Sequence, residues 1–157
     1  MPMQEVDVAT WERQRRETLS GLLEALEIDE RELGDDPLAL LPVLNRFVEY
    51  QDYDSMDEDD FFLLHTFLSA YVAEVLIRKH GASWRVRHDS RGPNYMLAVR
   101  GYDGEEHEVS PGDVVYFDFK KMPPDLTRML ATAELTARIY RPVDHASSTR
   151  LDREPQR

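Results

Sequence analysis

The sequence contains no cysteine among its 157 residues. It therefore cannot form a disulfide, a thiolate-ligated zinc site or a cysteine nucleophile, and its fold does not depend on an oxidising compartment. Long hydrophobic runs are missing as well, because no stretch approaches the ~20 apolar residues of a membrane-spanning helix. The N-terminus has no basic patch followed by an apolar segment. We therefore expect a cytoplasmic protein that makes no contact with a membrane.

Short catalytic and nucleotide-binding motifs are also absent. The seven glycines form neither GxGxxG nor a phosphate-binding P-loop, and the patterns GxSxG and HExxH do not occur. No two of the five histidines are four residues apart, so no pair lies on one helix face at zinc-binding spacing. These absences favour a protein without enzymatic activity, and we expect neither a cofactor nor a metal site.

Charge is distributed very unevenly along the chain. Residues 1–80 contain 19 Asp and Glu against 7 Lys and Arg, whereas residues 81–157 contain 12 of each. The excess peaks between Glu49 and Asp60, where seven carboxylates stand in twelve residues without a Lys or Arg. A field of this sign repels nucleic acid and anionic membranes and attracts basic proteins. We therefore expect a basic protein partner and no nucleic acid.

The spacing of apolar residues predicts two helices before residue 51. The first extends from Thr10 to about Ile28, with Trp11 and several leucines on one face. The second begins after Asp36 and Pro37, since Asp is a good capping residue and Pro suits the first helical position. It continues to about Tyr50 and is apolar over much of its circumference.

A third predicted helix covers about residues 56–80 and is apolar on both sides, which is typical of a helix packed between layers. Ser55 and Glu58 match a capping box at its start. A basic last turn and Gly81 suit its end. An EF-hand calcium loop beginning at Asp52 is excluded because its fifth and twelfth positions are not oxygen ligands.

Beyond the third helix the apolar pattern changes from helical to alternating. Residues 84–89, 95–100 and 107–109 are predicted to form an antiparallel meander. Residues 114–119 are dense in β-forming side chains and indicate a fourth strand, with a short helix as the competing interpretation. A last helix begins near Pro123. The sequence thus predicts an α+β fold with three N-terminal helices, a three- to four-stranded antiparallel sheet packed on the third helix, and one C-terminal helix.

The chain is long enough for one hydrophobic core and has little left for a second. We therefore expect a single α+β domain over residues 1–142. Residues 143–157 are polar and aperiodic, which predicts a disordered tail.

Two titratable residues of the third helix are candidates for catalysis if the protein is an enzyme. Glu74 lies in an apolar stretch and has the character of a buried general base, but an ion pair with Arg78 one turn later is the interpretation we favour. His65 lies on the apolar stripe of the helix, where a hydrogen-bonded histidine is commoner than a catalytic one.

The predicted hairpin carries the candidates for ligand binding. Trp84 and Tyr95 are expected to cover the third helix with their rings, and we favour core packing over a ligand pocket for both. Arg87, His88 and Arg91 form an exposed basic group at the other end of the hairpin. If a small anion binds to this chain, that group is the candidate site.

The segment Tyr71-Val-Ala-Glu-Val-Leu-Ile77, followed by Gly81-Ala-Ser-Trp84, a hairpin and Val109-Ser-Pro111, resembles small uncharacterised bacterial domains of unknown function. In those domains a helix ends in Gly, a Trp opens an antiparallel sheet, and a Pro-led segment follows. The resemblance covers about residues 61–120. It implies an α+β fold with the sheet against the third helix, and it implies no catalytic residue.

Two functions remain open from the sequence. The one we favour is a non-enzymatic protein-binding module of the immunity-protein, antitoxin or adaptor kind, which engages a basic partner through its acidic N-terminal half. The alternative is a small enzyme or ligand-binding accessory protein with a pocket between the third helix and the sheet. The carboxylates assigned to the partner surface are those that exceed the needs of helix capping: Asp29, Glu30, Glu32, Asp35, Asp36, Glu49, Asp52 and Asp54.

Overall fold

The computed structural model describes residues 5–141 and has an α+β fold with a three-stranded antiparallel sheet. In chain order the helices are α1 (Val8–Ala25), α2 (Glu30–Asp35), α3 (Leu41–Glu49), α4 (Glu58–His80), α5 (Pro111–Phe119) and α6 (Leu126–Thr136). The strands are β1 (Ser83–Asp89), β2 (Gly92–Arg100) and β3 (Glu106–Val109). Two short 3-10 helices, Pro37–Leu40 and Tyr53–Ser55, lie between the first four α-helices. The predicted tail at residues 143–157 lies outside the described residues.

The first helix is confirmed, although it begins and ends a few residues earlier than predicted. The carboxylate of Asp7 caps α1 by accepting the Thr10 N–H at 2.7 Å. A short helix, α2, follows, which the sequence did not predict because it spans fewer than two turns. Its cap is Asp29, whose carboxylate accepts the Arg31 N–H at 2.9 Å.

The second predicted helix is divided into a 3-10 turn and α3. Asp36 does act as a cap, because its carboxylate accepts the Leu38 N–H at 3.1 Å and Pro37 occupies the first position of the turn. The regular helix begins only at Leu41, where a second proline, Pro42, again lies in the first turn. Proline is tolerated at both places because those N–H groups have no partner inside a helix.

The predicted capping box at Ser55–Glu58 is wrong. The cap of α4 is Asp57, whose carboxylate accepts the Asp60 N–H at 2.9 Å, while the Asp60 carboxylate accepts the Asp57 N–H at 3.4 Å. Ser55 ends the preceding 3-10 helix, which is held in place because the Tyr53 hydroxyl donates to the carbonyl of Val48 at 2.7 Å. The start of α4 therefore still uses carboxylates of the acidic peak, two residues later than predicted.

The helix α4 is the centre of the fold. It contacts α1, α5, α6, the Pro37–Leu40 turn and β2, and most of its residues between Leu64 and Leu76 are buried. It ends as predicted, with Gly81 in the left-handed conformation at φ 70°. The fully buried Tyr71 also donates its hydroxyl to the carbonyl of Pro37 at 2.6 Å, which ties α4 to the N-terminal half.

By length and composition alone, α4 is long and apolar enough to cross a membrane. Half of its most apolar window is buried inside the fold. A core helix of this length passes the same criterion, so the observation gives only a weak indication of a membrane span.

The sheet is the antiparallel meander that the sequence predicts, with strand order β1-β2-β3. Trp84 in β1 lies opposite Leu97 in β2, which lies opposite Val109 in β3. These side chains are buried against the helices. The solvent face carries ion pairs between the outer strands, from Arg85 to Glu106 at 3.2 Å and from Arg87 to Glu108.

The predicted fourth strand at residues 114–119 is wrong, and the competing short helix is confirmed as α5. Ser110 caps it by accepting the Asp113 N–H at 3.2 Å, and Pro111 takes the first helical position. This is the same start signal as that of Asp36 and Pro37. The β preference of Val, Tyr and Phe depends on sheet neighbours, whereas α5 packs on α4 and α6.

Candidate functional site

A cavity of about 760 Å³ opens beside the first three turns of α4. Its walls come from α1, α4, the hairpin of β1 and β2, and the first turn of α5. The lining residues include Trp11 and Arg15 of α1, Phe62, His65 and Ser69 of α4, Trp84 and Tyr95 of the hairpin, and Gly112 and Tyr116 of α5. The spacing of three and four residues places each helical set on one face of its helix.

Three of these side chains form a stack. The rings of Trp11 and Tyr95 are parallel within 3°, with centroids 3.8 Å apart. The guanidinium carbon of Arg15 lies over the Trp11 ring at 4.0 Å from its centroid. Two groups cannot share one face of a ring at that distance, so the indole lies between the phenol and the guanidinium. Trp84 meets Trp11 edge-on, with centroids 5.8 Å apart. The aromatic rings thus hold a cation at the cavity wall.

Arg15 differs from its two neighbours on α1. Arg13 and Arg16 are exposed and pair with carboxylates one turn away, at 3.9 Å and 3.1 Å. Arg15 is partly buried, and within residues 5–141 no carboxylate forms an ion pair with it. Burial lowers the pKa of the Arg15 guanidinium below its ordinary value. The cavity wall therefore contains a cation that forms no ion pair in the described part of the chain, and Asp113 is the carboxylate that lines the same cavity.

Three residues of the cavity wall carry buried polar atoms without a hydrogen-bond partner. Among the described residues these atoms are Trp11 Nε1, Arg15 Nε and Ser69 Oγ. Buried polar groups are nearly always paired in folded proteins, and leaving one unpaired costs about 1–3 kcal/mol. All three atoms can donate a hydrogen bond. Because each has almost no accessible surface, a ligand that supplies acceptor atoms reaches them only if side chains of the wall move.

The segment before α1 closes one side of the cavity. The Tyr95 hydroxyl accepts the Val6 N–H at 2.9 Å and donates to the Val6 carbonyl at 2.6 Å. Both hydrogen-bonding functions of that hydroxyl are therefore used, and it positions the segment against the sheet. Tyr95 contributes its ring to the stack and fixes the wall, while the polar contacts to a ligand come from other residues.

The two candidates for catalysis are not brought together. His65 lines the cavity and donates its Nε2–H to the carbonyl of Gly112 at 2.8 Å, which leaves Nδ1 as the acceptor in the neutral ring. Glu74 is buried and bonded to Arg78, the ion pair that we favoured, and it does not line the cavity. Arg78 lies near Gly34, on the side of α2.

Two of the three residues in the basic group predicted on the hairpin contact neighbouring carboxylates. Arg87 Nε donates to Glu108 at 2.7 Å, and His88 Nε2 lies 2.6 Å from the carboxylate of Glu5. Arg91 is exposed in the turn and uses its backbone N–H in a local hydrogen bond. These three residues do not line the cavity, which contains the other two ligand-binding candidates, Trp84 and Tyr95.

The carboxylates predicted for the partner surface fall into two groups. In the first group Asp29 and Asp36 cap helical turns, and Asp36 also lies 3.6 Å from Lys79. Hydrogen bonds from Arg31 lower the pKa of Asp29. Glu30 accepts the hydroxyl of Ser20, and Glu32 and Asp35 are exposed on α2. This group is therefore largely used for local structure.

The second group consists of Glu49, Asp52 and Asp54, between α3 and α4. All three are exposed, and none has a side-chain hydrogen bond or an ion pair to another described residue. Capping does not account for them, because the cap of α4 is Asp57. They are the part of the acidic peak that local structure leaves unexplained.

One group of side chains in the described range has the spacing of a metal site. Ligand atoms of Asp103, Glu105 and His107 lie within 4.8 Å of one another. However, Asp103 already accepts the Glu105 N–H at 3.0 Å and contacts His107 Nε2 at 2.8 Å and Arg138 at 3.8 Å. These contacts, the backbone bond first, lower the pKa of Asp103. The group is explained as the stabilisation of a turn.

Arg15 is not among the candidate residues that the sequence indicated. The signal was present, since Arg15 is four residues from both Trp11 and Leu19 and so stands on the apolar stripe of the helix. A charged residue in that position has to find a partner or leave its charge in apolar surroundings. The contribution of Gly112 was also missed, because residues 114–119 were predicted to be a strand.

Comparison of the chain with protein-family models, with curated proteins and with solved structures finds no match. The resemblance of residues 61–120 to small bacterial domains therefore stays a prediction.

Proposed function

We propose that this protein binds a small aromatic carboxylate in the cavity between α1, α4, the hairpin and α5. The observation that carries the proposal is that one aromatic-lined cavity contains a cation without an ion pair, Arg15, and that three of its lining residues bear unpaired buried donor atoms. A volume of about 760 Å³ lies within the range of roughly 300–1,000 Å³ that is usual for ligand sites.

Arg15 is proposed to bind the carboxylate. The guanidinium is held over the Trp11 ring, so little side-chain freedom is lost when a ligand pairs with it. The ligand supplies the carboxylate that Arg15 does not pair with among the described residues. The first turn of α5 also lines the cavity, but its positive dipole end already carries the carboxylate of Asp113, so Arg15 is the group proposed to bind the anion.

The aromatic part of the ligand is proposed to lie against Phe62 and Tyr116 at the mouth of the cavity. Phe62 is 72% exposed and Tyr116 is 52% exposed, although both are large apolar side chains. Covering such surface is favourable by about 25 cal/mol for each Å² removed from water. Both rings line the same cavity as Arg15, so one ligand can contact all three residues.

We propose binding without catalysis. A general base needs a free acceptor close to the substrate and a suitable partner. His65 keeps Nδ1 as an acceptor, but its hydrogen-bond partner among the described residues is the Gly112 carbonyl and not a carboxylate, and Glu74 is paired with Arg78 outside the cavity.

Tryptophan fluorescence provides the test, because both tryptophans of the chain line the cavity. Phenylacetate and its neutral analogue phenylacetamide are titrated into the wild-type protein and into the variant Arg15→Gln. The matched control is Arg13→Gln, which removes an exposed charge from the same helix. The melting temperature of each variant is measured to establish that it is folded.

The wild-type protein and Arg13→Gln are expected to prefer the carboxylate over the amide by about tenfold or more, which corresponds to about 1.4 kcal/mol. Arg15→Gln is expected to lose that preference while remaining folded. Equal binding of carboxylate and amide by the wild-type protein, no response to either compound, or a preference that survives in Arg15→Gln would refute the proposal.

A second function, the binding of a basic protein partner by the acidic half, is also proposed. Its support is the set of exposed carboxylates at Glu49, Asp52 and Asp54, which no local contact in the described residues explains.

A further inference from the structure

We propose that a groove between α3 and α4 docks a basic amphipathic helix of a protein partner. The groove has a volume of about 370 Å³. Its apolar floor is formed by Phe47, Met56, Leu64 and Phe67. Asp52 and Asp60 line the same groove, and no Lys or Arg is among its lining residues. An apolar floor with an acidic rim is complementary to a helix that is apolar on one face and basic on the other.

The groove is separate from the cavity, although both use the first three turns of α4. The groove is lined by Asp60, Leu63, Leu64 and Phe67, and the cavity by Phe62, His65, Thr66 and Ser69. At 3.6 residues per turn the centres of these two sets are roughly 160° apart around the helix axis. The inference therefore does not rest on ligand binding in the cavity.

An exposed apolar side chain lines the groove beside carboxylates. Leu63 is 51% exposed, although it is a large apolar residue. A single exposed apolar residue is ordinary, but Leu63 lines the same groove as the four apolar residues of the floor. Its side chain supplies apolar contact area for a docked helix.

The charge around the groove identifies the occupant. The segment from Glu49 to Asp60 has seven carboxylates and no Lys or Arg, and Glu49, Asp52 and Asp54 have no side-chain partner in the described part of the chain. Lys and Arg on the polar face of a docked helix would pair with these carboxylates, and they would raise the association rate.

A second copy of this chain fits the groove less well. A symmetric contact presents the same patch from both copies, so the acidic peaks would face each other. Nucleic acid is repelled by the same charge. The basic amphipathic helix is the occupant that satisfies both the floor and the rim.

The test uses three fluorescein-labelled peptides of about 18 residues, a length at which an amphipathic helix can form. The first has Leu on one helical face and Lys on the other. The second has Ser in place of Leu, and the third has Glu in place of Lys. Binding to the full chain is measured by fluorescence anisotropy at about 50 mM and about 300 mM NaCl.

Three variants locate the binding site. Leu63→Ser removes the exposed apolar contact, and the double variant Asp52→Asn/Asp54→Asn, called the rim variant, removes the charge of Asp52, which lines the groove, and that of Asp54, two residues further along the chain. Neither side chain caps a helix. The matched control, Glu32→Gln/Asp35→Asn, removes the same charge from α2. Circular dichroism establishes that each variant is folded, and sedimentation equilibrium measures the oligomeric state of the wild-type protein.

Only the Leu/Lys peptide is expected to bind, more weakly at the higher salt concentration. Leu63→Ser and the rim variant are expected to weaken its binding by about tenfold or more, and the α2 variant by less than about twofold. The inference is overturned if the Ser/Lys peptide binds equally well, if the α2 variant weakens binding as much as the rim variant, or if Leu63→Ser has no effect. It is also overturned if the protein forms a dimer that Leu63→Ser dissociates.

Discussion

The two faces of α4 that line the cavity and the groove show opposite relations between charge and burial. On the cavity side a cation, Arg15, is partly buried against an aromatic ring and forms no ion pair among the described residues. On the groove side the charges are carboxylates such as Asp52, which remain exposed, while the apolar side chain of Leu63 is open to solvent. One helix thus separates the proposed site for an anion from the proposed site for a basic helix.

The contrast between the two faces shows that the number of charges in a segment is a poor guide to the position of a binding site. The acidic half has a large excess of carboxylates, but several of them only cap helices or form local pairs. Arg15 is one charge, and burial gives it a larger energetic consequence than an exposed ion pair has. The unpaired groups carry the functional information on both faces.

The largest expected effect comes from Leu68, which belongs to neither face and is 0% exposed. Leu68→Ala is expected to lower the free energy of unfolding by about 2–5 kcal/mol, because it leaves a cavity in the core. The matched variant Leu63→Ala is expected to change it by about 0.5 kcal/mol or less, because its side chain is half exposed. Chemical denaturation of both variants measures these changes in the free energy of unfolding. Similar losses would mean that the groove face is part of the core.

A smaller effect is expected from the unpaired hydroxyl on the cavity face. Ser69→Ala removes a buried Oγ without a partner, whereas Thr66→Ala removes a hydroxyl that donates to the carbonyl of Phe62 at 2.8 Å. Both changes improve helix propensity slightly. Without ligand, Ser69→Ala is expected to raise the free energy of unfolding by about 1 kcal/mol more than Thr66→Ala. A smaller free energy of unfolding for Ser69→Ala than for Thr66→Ala would show that the unpaired Ser69 hydroxyl does not destabilise the fold.

The smallest effect concerns pH and the C-terminal end of α4. Burial, and to a lesser extent Lys79, lower the pKa of His80 below 6.5, although Glu134 acts in the opposite direction. As the pH falls, the imidazole of His80 therefore takes up a proton at a higher pH in the unfolded chain than in the folded one. The folded state loses stability as the pH falls through the pKa that His80 has in the unfolded chain. Between about pH 7.5 and about pH 5.5, the melting temperature of His80→Gln is expected to fall less than that of the wild-type protein.

An identical decline in His80→Gln would assign the pH dependence to another histidine.

The fold could be predicted where local signals and tertiary packing agree. The spacing of apolar residues on α4, the glycine at its end and the alternating strands are all local, and the structure has them. The failures occurred where two local signals compete. Residues 114–119 have β-forming side chains, but Ser110 and Pro111 begin a helix, and the helix is formed because it packs on α4 and α6.

The cavity could be predicted only in part. Trp84, Tyr95, His65 and Glu74 were recognised as possible lining residues, and all of these except Glu74 line the cavity. Arg15 was not recognised, because its environment depends on how α1 packs against the hairpin. That packing decides both the contact of Arg15 with the Trp11 ring and the lack of an ion pair. Similarly, the shift of the α4 cap from Ser55 to Asp57 depends on the Tyr53 hydroxyl.

The hydrogen bonds between Val6 and Tyr95 join residues 89 positions apart in the chain. With α4 and the start of α5 forming the other walls, the cavity draws on nearly the whole described sequence. Closing so long a loop has an entropic cost that is recovered only when the intervening elements are packed. The cavity is therefore complete only when folding is complete. A compound that binds there stabilises the native state alone, so its occupancy measures how much of the chain has finished folding.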